Sequence, residues 1–140
     1  MKGPPPPDPF LANLFKRDLR LAVARTHQDR LEALLELAED LHGQARAGVR
    51  AAGIEDLENL AKLFDQVVRR GMVPVAQKLP PEERRRLLDA VAERLARTGR
   101  EADRLAQSAP SAPADALRQI AAAARYGDGQ LRSLLHGPTS

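Results

Sequence analysis

The chain has 140 residues, with 22 Lys and Arg against 19 Asp and Glu, for a formal net charge of +3. That length suits a single domain, and a 43% hydrophobic fraction with only 3% aromatics and no Trp calls for a core of Leu, Ala and Val. Zero Cys excludes disulfides, thiolate metal sites and thiol nucleophiles, and no run approaches the roughly 18 to 20 apolar residues of a membrane-spanning helix.

Met1-Lys2-Gly3 leads straight into Pro4 to Pro7 without an apolar signal region, so the expected location is cytoplasmic. Residues 1–8 read as a Pro-rich linker or disordered N-terminus, a composition that also fits a fragment of a longer, possibly anchored protein. Asp8-Pro9 then supplies an N-cap and a Pro at the first helical position. From Phe10 to Ala24, Leu11, Leu14, Phe15, Leu21 and Ala24 share one helical face. Arg25 to Arg30 contains no apolar residue, which predicts a kink or restart near Thr26, with Asp29 completing a weak capping box.

The seam Leu31, Leu34, Leu35, Ala38, Leu41, Ala45 and Val49 is the clearest helix in the chain, ending between His42 and Gly53. A second helix carries Leu57, Leu60, Ala61, Phe64, Val67 and Val68 and is expected to stop at Arg69-Arg70-Gly71. Met72 to Leu79 reads as a short separate segment opened by Pro74, and Pro80-Pro81-Glu82-Glu83 as a new helix start. The third long helix runs from Pro81 to Gln107, interrupted only by Gly99 at a cost of about 1 kcal/mol unless the glycine serves a close crossing. Ser108 to Pro113 breaks the chain before a fourth helix, Leu117 to Leu135, bent at Gly127-Asp128-Gly129 and closed by His136-Gly137-Pro138. The expected fold is all-α: an antiparallel bundle of about four helices with coiled-coil-like heptads over residues 9–137, and a tail at 138–140. The N-terminal helix would be kinked or would protrude as an arm, presenting Phe10, Leu11, Leu14 and Phe15.

Catalytic signatures are missing. The chain has no Gly-Lys-Ser/Thr phosphate loop, no Gly-x-Gly-x-x-Gly turn and no Gly-x-Ser-x-Gly elbow. His27, His42 and His136 never sit four residues apart, so no metal or other cofactor is expected. Leu117 to Leu135 resembles a helix-turn-helix, but its second helix would be too short to read a groove. The stretch Ala116-Leu117-Arg118-Gln119-Ile120 through Gly129-Gln130-Leu131-Arg132-Ser133-Leu134-Leu135 is similar to a helix pair in the lid domains of AAA+ ATPases of the clamp-loader type. It covers about 20 residues without the phosphate loop or Mg-binding strand of an ATPase, and reads as convergent helix composition.

An up-down-up-down bundle would gather Arg25, Arg30, Arg69, Arg70, Lys78, Arg84, Arg85, Arg86 and Arg132 at one end. At the other end, Glu36, Glu39, Asp40, Glu55, Asp56 and Glu58 would face Arg97, Arg100 and Arg104. These patterns point to a non-enzymatic helical protein–protein interaction or regulatory domain, self-association included. Its contacts would be the basic residues Arg69, Arg70, Lys78 and Arg84 to Arg86, and the apolar arm. The alternatives are a binder of anionic membrane headgroups or nucleic acid backbone through that basic pole, and a small-ligand sensor with an inter-helix pocket.

Overall fold

Thr26 opens the first helix by accepting the Asp29 backbone N–H on its Oγ1 at 3.0 Å, which satisfies one of the donors that a helix start leaves without an intrahelical partner. The sequence places a helix start at this position. The computed structural model describes the backbone of residues 25–51 and 54–136, and the side chains of residues 25–49 and 55–136. The expected linker, the helix Phe10 to Ala24 with its arm residues Phe10, Leu11, Leu14 and Phe15, and the 138–140 tail lie outside the described residues.

Helix α1 is His27–Ala51. It buries the predicted seam of Leu31, Leu34, Leu35, Ala38, Leu41 and Ala45. Helix α2, Ile54–Gln66, starts with Glu55 and Asp56 in its first turn, where carboxylates complement the positive helix end. It does not stop at Gly71 as expected. The chain instead continues through a π-helical turn, Val67–Met72, into the short helix α3, Val73–Gln77. The reason lies in Gly71 and Pro74. Pro74 has no N–H to give and its ring would crowd the carbonyl four residues back in a regular helix, whereas the wider turn, closed by Val73 N–H donating to the Val68 carbonyl, can carry a proline just beyond it. Gly71 lies against α1 here, where a Cβ would come within 3.1 Å of Leu34 Cδ2.

Pro80 is extended, with φ −62° and ψ 155°, and helix α4 begins at Pro81 and runs to Ser108. The break after α4 is shorter than Ser108 to Pro113: only Ala109 and Pro110 separate it from helix α5, Ser111–His136. Pro113 is tolerated because it falls in the first turn. Gly127-Asp128-Gly129 lies within α5, which continues as one helix, with no glycine at positive φ among the described residues. The helix pair expected of a helix-turn-helix or an ATPase lid is therefore absent from this stretch.

The α4–α5 hairpin is the most extensive interface, and small residues let it close. A Cβ on Gly99 would stand 3.3 Å from Ala124 Cβ and 3.5 Å from the Ala121 carbonyl, so Gly99 serves the close helix approach that offsets its propensity cost. Gly127 is tighter still, wedged between Val68 of the π turn and Leu95 of α4.

Interhelical partners fix the topology. Arg86 bonds to Gln28, Arg94 to Glu39, and Glu101 to both His42 and Arg46, with partners 55 to 59 residues apart throughout. A near-constant separation means that α1 and α4 run parallel. Leu34 meets Gly71 across an antiparallel α1–α2 pair, while Arg125 meets Asp103 and Arg132 meets Asp89 across an antiparallel α4–α5 pair. The four long helices therefore alternate in direction, as expected of an antiparallel bundle. They are arranged as two hairpins stacked side by side, α1 beside α4 and α2 beside α5, the stacking found in helical repeat proteins. One apolar cluster, including Leu34, Phe64, Met72, Leu88, Leu95 and Ile120, spans both hairpins.

Candidate functional site

The alternation brings the start of α1, the end of α3, the start of α4 and the end of α5 to one end of the molecule, where the sequence places its basic pole. The contacts there divide the predicted cations into two groups. Arg69 Nε donates to Asp65 Oδ1 at 2.7 Å, and its guanidinium lies 4.0 Å from the centroid of the Tyr126 ring. Arg132 donates to Asp128 at 2.6 Å and to Asp89 at 3.2 Å. The hydrogen bond and charge of Asp128, reinforced by Asp89, hold its pKa above the usual guanidinium value. These two arginines are tied to carboxylates and do not add to a free positive surface. Arg70 is exposed in the π turn beside Arg69.

The second group stays at the end itself. Arg84 donates to the Gln77 carbonyl at 2.6 Å, tying the start of α4 to the last residue of α3, and Arg86 donates to the amide oxygen of Gln28 at 3.2 Å. Both partners are neutral, so both positive charges remain uncompensated. Arg85 and Arg86 line a shallow cleft with Glu82. Arg85 and Lys78 are exposed, and neither forms an ion pair with a carboxylate of the described residues. Arg25 is exposed beside them. The basic site the structure brings together is thus Lys78, Arg84, Arg85 and Arg86, without Arg69.

The opposite half carries a buried polar contact that composition does not reveal. His42 has a side-chain exposure of only 7%, and its Nε2 lies 2.6 Å from Glu101 Oε1, which also accepts from Arg46 at 3.1 Å. His42 Nδ1 is buried with no hydrogen-bond partner. The hydrogen bond from His42, helped by the nearby charges of His42, Arg46 and Arg104, lowers the Glu101 pKa below the usual carboxylate value. A heptad count would have found this histidine, since it lies seven residues after buried Leu35 and one after buried Leu41. Arg94 and Glu39 pair through Nε and Oε2 at 2.9 Å and through a second short contact, so Glu39 faces Arg94 rather than Arg97, while Arg100 turns to Glu93 on its own helix.

Clefts also indent the surface away from the basic end. One of about 600 Å³ lies where α1 approaches the α4–α5 turn, lined by Arg46, Val49, Leu105 and Pro110. Another, of about 590 Å³, lies on the outer face of the α1–α2 hairpin. Among the described residues no helix is long and apolar enough to cross a membrane, and no group of three or more His, Cys, Asp or Glu could hold a metal ion. Neither the known protein families, nor curated proteins, nor solved structures supply a match to this chain.

Proposed function

We propose that the protein is a non-enzymatic helical interaction or regulatory domain that engages an acidic face of a protein partner through Lys78, Arg84, Arg85 and Arg86. The observation that carries this reading is the division of the arginines. The cations inside the bundle wall, Arg69, Arg94 and Arg132, are matched with carboxylates, whereas those at the start of α4 meet a carbonyl, an amide or solvent. Charge left over at one end steers and orients a partner of opposite sign.

Glu82 and Glu83, interleaved with the cations, repel a continuous polyanion more than a partner presenting a few discrete carboxylates. The scarcity of aromatic residues also removes the stacking on which single-stranded nucleic acid binding relies. Binding of a fluorescent acidic polypeptide, measured over graded salt, tests the reading. We expect salt-sensitive binding that weakens at least about tenfold in Arg84→Glu/Arg85→Glu/Arg86→Glu. Equal binding by that variant, or tighter binding of anionic vesicles or duplex DNA in parallel titrations, would reject a protein partner at this site.

A further inference from the structure

The two outer faces of the stack differ. Across the α4–α5 hairpin, surface ion pairs join the helices, Arg125 with Asp103 and Arg132 with Asp89, the polar covering expected of the terminal unit of a stack. The α1–α2 hairpin has instead an open groove, lined by Gln44 of α1 and by Asp56, Asn59, Leu60, Lys62 and Leu63 of α2. Among the described residues, α4 and α5 add nothing to its wall. Leu60 and Leu63 are half-buried there, packed against the core from one side only. Charged side chains flank them: Asp56, Glu58 and Lys62 are exposed, and none forms an ion pair with another described residue.

We propose that a second copy of this chain covers the groove, its α2 lying antiparallel against α2 of the first about a two-fold axis near Asn59. The order of charge along α2 selects that arrangement. The helix starts with Glu55, Asp56 and Glu58 and carries Lys62 one turn later, so Asn59 and Leu60 separate carboxylates from an ammonium. A two-fold axis there sets Asp56 and Glu58 of each copy at the level of Lys62 of the other, and the symmetry repeats the contact. Asn59, whose amide both donates and accepts, meets its counterpart, and the strip of Leu60 and Leu63 from each copy packs alongside. Parallel pairing would set carboxylates against carboxylates and lysine against lysine. The charge of the whole molecule agrees. Because α2 runs toward the basic end, antiparallel copies carry Lys78, Arg84, Arg85 and Arg86 to opposite poles of the dimer, where like charges stay apart and both ends remain open to a partner.

Sedimentation equilibrium of the full chain tests this. At about 100 μM the native chain should be a dimer. Asp56→Lys/Glu58→Lys and Lys62→Glu each place like charges at both contacts, and each variant alone should dimerise at least about tenfold more weakly. Circular dichroism should stay unchanged, since all three side chains are exposed. Mixed in equal amounts, the two variants bring opposite charges together again at both contacts, and should form a heterodimer within about threefold of the native affinity. A native chain that stays monomeric, as it would with the groove filled from within the same chain, overturns the proposal. So do assemblies larger than a dimer, charge reversals that leave the dimer intact, or a mixture that remains monomeric. None of these variants alters the basic end, so binding of an acidic partner there stands or falls separately.

Discussion

Gly127 is the residue at which the packing leaves least room. A Cβ there would lie 2.6 Å from Val68 Cγ1 and 2.9 Å from Leu95 Cδ1, and both neighbours are fully buried, with little room to move aside. Gly127→Ala should therefore destabilise the fold by about 1–3 kcal/mol, the usual cost of overpacking a core, seen as a lower urea midpoint. Gly43 and Gly129, within helices and with nothing inside 4 Å of where a Cβ would sit, should behave in the opposite way. Alanine at either is expected to stabilise by about 0.5–1 kcal/mol, because glycine loses more backbone freedom on folding. The three substitutions are chemically identical, so a common response would rule out packing as the cause.

Glu101 contributes to the response to acid. A carboxyl whose folded pKa is lowered by its partners binds protons more weakly in the folded state than in the unfolded state. It therefore contributes stability above the unfolded carboxylate pKa and loses that contribution as pH falls through the lower folded value. Glu101→Gln removes the titrating group, so its urea midpoint should fall less steeply than that of the native chain below about pH 4.5. Parallel curves over that range would show that the buried contact is not linked to protonation.

Among the elements, the two ways in which helices meet differ in kind. The α4–α5 hairpin closes on Gly99, Ala121 and Ala124, whereas α1 and α4 are joined along their rim by Arg86–Gln28, Arg94–Glu39 and Glu101 with His42 and Arg46. Rim contacts of this sort fix alignment more than they add stability. A double-mutant cycle on Arg94→Ala and Glu39→Ala should return a coupling no larger than about 1 kcal/mol, since both side chains are about a third or more exposed. A coupling of several kcal/mol would mean that the pair acts as a buried one.

The α1 seam was legible in the sequence because Leu31 to Ala45 repeats without interruption. Helix starts at Thr26 and Pro81 were legible because capping and proline chemistry are local. The π turn was not, since Gly71 and Pro74 are ordinary stop signals and only the packing of Gly71 on Leu34 makes continuation preferable. The division of the arginines was also hidden. Arg69 and Arg132 each have a carboxylate four residues earlier, Asp65 and Asp128, a spacing visible in the sequence, but Asp89 joins Arg132 only once the α4–α5 hairpin closes, and Tyr126 joins Arg69 only once the hairpins are stacked.

At the scale of the molecule, one apolar cluster reaches from Leu31 to Leu131 across both hairpins, so the hairpins should not unfold independently. Urea unfolding followed by circular dichroism should coincide with that followed by the emission of Tyr126, the only tyrosine in a chain without tryptophan. Two separated transitions would mean that the stacked hairpins are autonomous.

The pairing of Arg86 with Gln28 and of Arg132 with Asp89 also places Thr26 and His136 at a common pole. A helical unit whose entry and exit points emerge together can be spliced into an exposed loop of a host protein while its helices keep their order. The same geometry suits circular permutation of residues 26–136, with a short linker joining Thr26 to His136 and the cut made at Ala109-Pro110, the two-residue link between α4 and α5.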